Sequence, residues 1–223
     1  MKRTPLRERE LPDYTRGEEI FNMTSHIVGG VFGLAALIVC NITAAWHHNQ
    51  IGIISGSIYG ISMILLYTMS AVYHGLRQPM AKKVFQVIDH CTIFILIAGT
   101  YTPIMMSSMW TKYPLLTHIL LALVLVMAVI GIVLNSIDLE RYKKFSMACY
   151  LGMGWCILIA AKPMLDTFPV EAIWLLVYGG IAYSVGVIFY INKHKWHYMH
   201  SIFHLFVLAG SVFHFICIIK YML

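Results

Sequence analysis

Residues 114–135 read PLLTHILLALVLVMAVIGIVLN, a stretch without Asp, Glu, Lys or Arg. An apolar run of about 20 residues is long enough to cross the hydrocarbon core of a bilayer as an α-helix. It is also too long and too unbroken for a transmembrane β-strand, which alternates polar and apolar residues over about 10 positions. The stretch therefore predicts a membrane-spanning helix.

Runs of the same kind recur along the whole chain. Hydrophobic residues make up 59% of the 223 residues and charged residues only 12%, against about 45–50% and about 25% in soluble domains. This composition excludes soluble, disordered, coiled-coil and nucleic-acid-binding proteins. The apolar runs predict an all-α integral membrane protein with seven transmembrane helices, at about 24–46, 51–74, 84–107, 114–135, 145–162, 170–191 and 197–222.

Seven spans leave no room for a soluble domain. We expect residues 1–19 to form a basic cytoplasmic N-terminal tail and residues 20–223 to form a single transmembrane domain. The first apolar run is too long for the hydrophobic region of a signal peptide, so we expect no cleavage.

The distribution of Lys and Arg predicts the orientation. With seven spans, thirteen of the sixteen fall on the side of the N-terminus. Positive residues are retained in the cytoplasm, so we expect a cytoplasmic N-terminus and an outside C-terminus. The net charge of +6 then forms a basic rim that contacts anionic lipid headgroups, not nucleic acid. The thirteen are Lys2, Arg3, Arg7, Arg9, Arg16, Arg77, Lys82, Lys83, Arg141, Lys143, Lys144, Lys193 and Lys195.

Polar residues inside the predicted spans lie at a similar depth. Ionisable residues in a span are energetically unfavourable and therefore indicate function. They lie near the cytoplasmic ends of four spans: Glu19, Asn22 and His26 in the first, Ser70 and His74 in the second, Asp89 and His90 in the third, and His200 and His204 in the seventh. The topology predicts that these residues meet in the cytoplasmic leaflet. Glu19, Asn22 and His26 can also serve only to cap and anchor the first span.

The histidines suggest a metal site. His200 and His204 are four residues apart, which places both imidazoles on one helix face at the spacing that helical histidine pairs use to bind zinc. His74 can supply a third nitrogen from another helix. Three histidines with one open position are typical of a catalytic zinc site, in which zinc lowers the pKa of water towards about 7. Three imidazoles also suit other metals, such as Fe or Co.

Two further residues have chemistry that suits such a site. Asp89 is the carboxylate that lies well inside an apolar run, where it can hold a water or act as a general base. Ser70 lies one turn deeper than His74 and can donate a hydrogen bond to that water or to a substrate carbonyl. Glu19, Asn22, His26 and His90 are expected to surround the site or to form a structural polar cluster.

In combination, these motifs resemble the hemolysin III family, the bacterial branch of the progestin and adipoQ receptor (PAQR) proteins, which is similar to the alkaline ceramidases. The motifs are Glu19-x-x-Asn22-x-x-Ser25-His26, Ser70-x-x-x-His74, Asp89-His90, Ala98-Gly-Thr-Tyr-Thr-Pro103 and His200-x-x-x-His204. The resemblance covers nearly the whole chain. It implies a seven-helix protein of the bacterial cytoplasmic (inner) membrane, with zinc on His74, His200 and His204 and with Asp89 and Ser70 near the metal.

Three functions are compatible with these patterns. The first is an intramembrane zinc-dependent hydrolase that acts on a lipid amide or ester from the cytoplasmic leaflet. The second is a non-enzymatic, receptor-like sensor or regulator of membrane state that holds zinc as a structural element. The third is a pore-forming (haemolytic) or transport protein, which is less favoured because the outer half of the chain offers few polar residues for a conduction path.

Overall fold

The computed structural model of the protein describes residues 3–192 and 195–223, and these residues form helices without β-strands. Two short 3₁₀ helices, Leu6–Glu8 and Cys156–Ala160, precede α1 and follow α5. Lys2 and Lys193 of the predicted basic rim lie outside the described residues. The α-helices are α1 (Arg16–Trp46), α2 (Gln50–Gly75), α3 (Pro79–Met105), α4 (Ser108–Lys112), α5 (Pro114–Trp155), α6 (Ala161–Thr167), α7 (Val170–Ile191) and α8 (Met199–Tyr221).

Six helical stretches among the described residues are long and apolar enough to cross a membrane. Five are single helices of 22 to 31 residues, and the sixth is the 54-residue stretch Pro114–Thr167. Large apolar side chains cover the outward surface of the bundle; Leu115 is 74% exposed and Ile159 is 66% exposed. Lipid accepts such a surface and water does not. The prediction of an all-α integral membrane protein is therefore confirmed.

Helix α5 folds back on itself at Asp138. The backbone angles there, φ −158° and ψ 95°, are not helical. The Asn135 amide donates a hydrogen bond to the Tyr150 hydroxyl at 3.3 Å, and the Ser146 hydroxyl donates to Asn135 Oδ1 at 2.5 Å. In a straight helix, residues 135 and 150 would be about 22 Å apart. The contacts show that the segments before and after Asp138 lie side by side.

The helix ends differ from the predicted runs for identifiable reasons. Helix α1 begins at Arg16 and not near residue 24, because Thr15 and Glu18 form a reciprocal capping box within the polar tail. Helix α3 begins at Pro79 and not near residue 84, since proline suits the first turn of a helix. The predicted run 145–162 spans the end of α5, a 3₁₀ helix and the start of α6.

Helices α1 and α2 approach each other closely through glycine. A Cβ atom on Gly60 of α2 would lie 2.6 Å from Leu37 Cα of α1, and one on Gly33 of α1 would lie 3.0 Å from the Ile64 backbone nitrogen of α2. Small residues at such contacts let membrane helices pack by van der Waals attraction, which replaces the hydrophobic driving force absent in lipid. The pair α1–α2 therefore holds the two N-terminal helices in a fixed register.

The two ends of the bundle are marked by contacts between distant segments. At one end, Lys83 Nζ at the start of α3 donates a hydrogen bond to the Arg7 carbonyl oxygen at 2.7 Å. At the other end, His47 Nδ1 after α1 lies 3.2 Å from the Leu223 carbonyl oxygen. We call these ends the N-terminal face and the C-terminal face. Residues 3 and 223, the two ends of the described chain, thus lie near opposite faces.

The segment before α1 crosses the N-terminal face and is attached to the Asp138 bend. The Thr4 backbone N–H donates a hydrogen bond to Asp138 Oδ2 at 2.9 Å, and Arg9 Nη2 donates to the Ile137 carbonyl oxygen at 3.2 Å. The Arg9 guanidinium also lies 3.9 Å from Asp138 Oδ1, and both side chains are buried. This part of the polar tail is therefore packed against the helices.

We expect Asp138→Ala to destabilise the fold by about 1–3 kcal/mol, because the Arg9 guanidinium and the Thr4 N–H lose a buried acceptor. The measurement is unfolding in mixed detergent micelles. Glu140→Ala is the matched control, because the Glu140 side chain is 72% exposed and such surface changes stay within about 0.5 kcal/mol. Equal stability of the two variants would contradict the anchoring role of Asp138.

Candidate metal centre

Three histidines from two helices meet inside the bundle near the N-terminal face. His74 lies in the last turn of α2, and His200 and His204 lie in the first two turns of α8. All three are buried, and one ring nitrogen of each lies within 4.8 Å of those of the other two. Within this group, His200 Nε2 and His204 Nε2 lie 3.1 Å apart. The group could hold a metal ion, as the spacing of these residues in the sequence predicts.

The start of α8, and with it the position of His200, is fixed by Glu18 of α1. Tyr198, which precedes α8, has the left-handed backbone angles φ 62° and ψ 8°. Its N–H donates a hydrogen bond to Glu18 Oε1 at 2.7 Å. Glu18 Oε2 meanwhile accepts from the Thr15 N–H in the capping box. Glu18 was not predicted as part of the site, although the spacing Thr15-x-x-Glu18 is the signature of that box.

The imidazole of His74 is oriented by a hydrogen bond to a carboxylate. Its Nδ1 lies 2.6 Å from Glu19 Oε2 of α1, and Glu19 Oε1 lies 2.9 Å from Lys82 Nζ of α3. An ionised carboxylate only accepts hydrogen bonds, so Nδ1 carries the ring proton and Nε2 keeps the lone pair that a metal requires. Lys82 is buried, whereas the sequence assigned it to the basic rim. It is the second residue of this centre that sequence reasoning missed.

The predicted polar face of α1 packs on α8. The rings of His26 and His204 stack with centroids 3.7 Å apart, and Ser25 Oγ lies 3.5 Å from His204 Nδ1. Asn22 is fully buried, and its Oδ1 accepts a hydrogen bond from the Ser201 hydroxyl at 2.6 Å. Among the described residues, neither ring nitrogen of His26 has a hydrogen-bond partner. His26 thus supports His204 by ring contact.

Asp89, Ser70 and His90 lie on another side of the histidines, around a shared cavity. Asp89 and Ser70 are buried and line this cavity together with His200 and His204. His90 lies beside Asp89, with Nδ1 3.9 Å from Asp89 Oδ2. His90 Nδ1 is also hydrogen-bonded to the Gln86 carbonyl oxygen at 2.8 Å, and His90 Nε2 is hydrogen-bonded to the Tyr190 hydroxyl at 3.2 Å. The structure therefore brings all nine predicted site residues to one end of the bundle.

The cavity is long and mostly apolar. It has a volume of about 230 Å³ and is lined on α8 by residues from His200 to His214, a distance of about 21 Å along the helix axis. Aliphatic and aromatic side chains of α3, α5, α7 and α8 form most of its wall. The polar groups His200, His204, Asp89 and Ser70 lie together at one end. The cavity therefore suits a molecule with one polar group and a long apolar chain.

Tyr14 covers the histidines from the N-terminal face. Its ring stacks on that of His200, with centroids 5.0 Å apart and an interplanar angle of 13°, and its centroid lies 5.9 Å from that of His74. Burial raises the pKa of the Tyr14 phenol well above its ordinary value, so the hydroxyl stays neutral at physiological pH. The segment that is attached to Asp138 thus ends on the histidine cluster.

We expect the Asn22–Ser201 hydrogen bond to couple α1 to α8 energetically. Asn22→Ala and Ser201→Ala should each lower the free energy of unfolding, because each leaves a buried partner unpaired. In a double-mutant cycle the coupling should be about 0.6–1.7 kcal/mol, the range of the stronger hydrogen bonds between membrane helices. Reversible unfolding in mixed micelles measures it. Strictly additive losses would show that the two side chains do not support each other.

Comparisons with known proteins agree with this architecture. The family model described as Haemolysin-III related matches residues 14–215. The chain is 38% identical over 211 residues to Hemolysin-3 of Bacillus cereus, covering 92% of each protein. It is 39% identical over 208 residues to the Hemolysin-3 homolog of Bacillus subtilis (strain 168), covering 93% of this chain and 96% of that protein.

A more distant similarity reaches animal proteins. The chain is 27% identical over 180 residues to the Monocyte to macrophage differentiation factor of Homo sapiens, covering 76% of this chain and 71% of that protein. The bacterial relatives and the apolar helices together indicate a multi-pass bacterial membrane protein. Because the family model spans most of the sequence, the chain belongs to the Haemolysin-III related family.

Proposed function

We propose that the protein is an intramembrane zinc-dependent hydrolase of a lipid amide or ester. The observation that carries this proposal is the cavity: two of the three clustered histidines, His200 and His204, line a long apolar cavity that Asp89 and Ser70 also line.

The proposed topology has seven spans. The bend at Asp138 divides the stretch Pro114–Thr167 into two passes, which adds one to the six candidate spans. An odd number of passes agrees with chain ends near opposite faces. Arg3, Arg7 and Lys83 lie at or near the N-terminal face, and basic residues are retained in the cytoplasm. We therefore assign the N-terminal face to the cytoplasm and the histidine cluster to the inner leaflet.

Zinc fits the donor set. Three imidazoles are ligands of known catalytic zinc sites, and two nitrogens on a tetrahedral zinc with bonds of about 2.0–2.1 Å lie about 3.3 Å apart. The observed 3.1 Å between His200 Nε2 and His204 Nε2 supports this fit. His74, His200 and His204 would hold the ion. When bound, zinc supplies Lewis-acid polarisation of a carbonyl oxygen and increases the acidity of water.

The remaining polar groups of the cavity have chemistry suited to hydrolysis. Asp89 is the only carboxylate among the described residues that line the cavity, so we assign it the role of the general base that accepts a proton from the attacking water. Ser70 Oγ is assigned as a hydrogen-bond donor to the substrate carbonyl oxygen. Burial of both groups strengthens these interactions, because the local dielectric is low.

The cavity is long enough to hold an acyl chain of a lipid. Acyl chains of one leaflet occupy about half of the hydrocarbon core, or about 15 Å, and the cavity extends about 21 Å along α8 from the histidines. Leu158 and Leu165 line the part of it nearer the C-terminal face and are 55% and 59% exposed, as in a cavity that is open at its side. Tyr14 covers the cytoplasmic side. We therefore infer that the substrate enters sideways from the membrane.

The test is turnover of lipid amides and esters in mixed micelles by the zinc-loaded protein. Asp89→Asn should lower the rate by about 10²–10⁴-fold, the usual contribution of a positioned general base, while the protein keeps its bound zinc. Asp166→Asn is the matched control, because Asp166 is exposed at the C-terminal face and its loss should leave the rate unchanged.

Two results would reject the hydrolase. One is a zinc-loaded wild type that hydrolyses no lipid amide or ester, which would favour the non-enzymatic sensor with structural zinc. The other is equal turnover by the wild type and a variant that lacks all three histidines.

A further inference from the structure

Lys82 occupies an unusual position for a lysine near the end of a membrane helix. It lies in the first turn of α3 and is only 8% exposed. Lysine side chains at span ends ordinarily extend to the headgroups, where the ammonium stays hydrated. A buried ammonium needs protein acceptors in place of water. Lys82 is therefore expected to have several acceptors within the protein.

The Lys82 side chain contacts the C-terminal end of α2. Its Nζ donates hydrogen bonds to the carbonyl oxygens of Tyr73 at 3.0 Å, Leu76 at 3.2 Å and His74 at 3.4 Å. The last carbonyls of a helix lack partners within that helix, and its C-terminus carries partial negative charge. Lys82 thus caps the turn of α2 that carries His74.

The Lys82 side chain also forms an ion pair with Glu19. Lys82 Nζ lies 2.9 Å from Glu19 Oε1, and the second carboxylate oxygen of Glu19 lies 2.6 Å from His74 Nδ1. Three helices, α3, α1 and α2, thereby contribute one side chain each to a linear chain of contacts. Lys82 touches both the main chain of His74 and the carboxylate that orients its ring.

We propose that Lys82 is a positioning residue of the metal centre, which fixes Glu19 and the last turn of α2 so that His74 presents Nε2 to the ion. This inference rests on the proposed zinc site. Outer partners of metal-bound histidines set the ring orientation and the tautomer, and their loss typically weakens metal binding by about 10–100-fold. Lys82 acts on His74 mainly through Glu19, so the effects of losing Lys82 and Glu19 overlap.

The experiment measures zinc affinity by competition with a chromophoric chelator on the purified, full-length protein in detergent. The variants are Lys82→Met, Glu19→Gln and the double variant. Lys83→Met is the matched control, because Lys83 is the next residue in the chain and contacts the Arg7 carbonyl oxygen at the surface of the bundle. Lys82→Arg tests rescue by a residue that keeps the charge.

We expect Lys82→Met and Glu19→Gln each to bind zinc about 10–100-fold more weakly than the wild type. The double variant should bind no more weakly than Glu19→Gln, and Lys82→Arg should recover part of the affinity. Lys83→Met should match the wild type. A lysine that only caps α2 would lower the melting temperature of the protein and leave the zinc affinity of the folded fraction unchanged.

The outcomes separate this inference from the proposed function. A wild type that binds no zinc overturns the zinc site itself. If the wild type and Lys82→Met bind zinc equally tightly, the positioning role alone is overturned. Fully additive losses of affinity in the double variant overturn it as well. If Lys82→Met does not fold, unchanged zinc affinity of Glu19→Gln overturns the inference instead.

Discussion

Imidazole nitrogens buried in a membrane-embedded bundle require partners that lipid cannot supply, and the arrangement of the helix ends follows from that requirement. His74, His200 and His204 come together where α2 ends and α8 begins. Unsatisfied polar groups at such depth cost several kcal/mol each. Glu19 supplies a partner to His74 Nδ1 and Ser25 one to His204 Nδ1, while His26 supports His204 by ring stacking.

The same constraint explains how the N-terminal segment is used. Glu18 fixes the start of α8, Asn22 binds Ser201 within the bundle, and Tyr14 stacks on His200. Polar residues that would be a solvated tail by composition are instead recruited to cover and support the histidines. His200 and His204 of the cluster thus border the apolar cavity.

Much of this centre could be predicted from sequence because it depends on local spacing and on topology. The four-residue spacing of His200 and His204 fixes their common face, and the alternating direction of the helices brings the end of α2 and the start of α8 to one side. Lys82 and Glu18 could not be assigned in the same way. Their roles depend on contacts between helices far apart in the chain, and a basic residue next to a span resembles a surface residue until its acceptors are known.

The positions of the helices could be predicted from the sequence, but their exact ends could not. Apolar runs located the spans, since lipid contact requires them, but the extension of α1 to Arg16 depends on the capping box at Thr15. The fold-back at Asp138 lies in the predicted gap between two runs. Asp138 is bound there by Thr4 and Arg9, which lie more than 100 residues earlier in the sequence.

The measurement that tests the central claim most directly is X-ray absorption spectroscopy at the zinc edge of the zinc-loaded protein. A site built from His74, His200 and His204 predicts three imidazole nitrogens at about 2.0–2.1 Å with one further light-atom ligand. A sulfur shell at about 2.3 Å, or fewer than three imidazoles, would contradict the three-histidine centre and the account built on it.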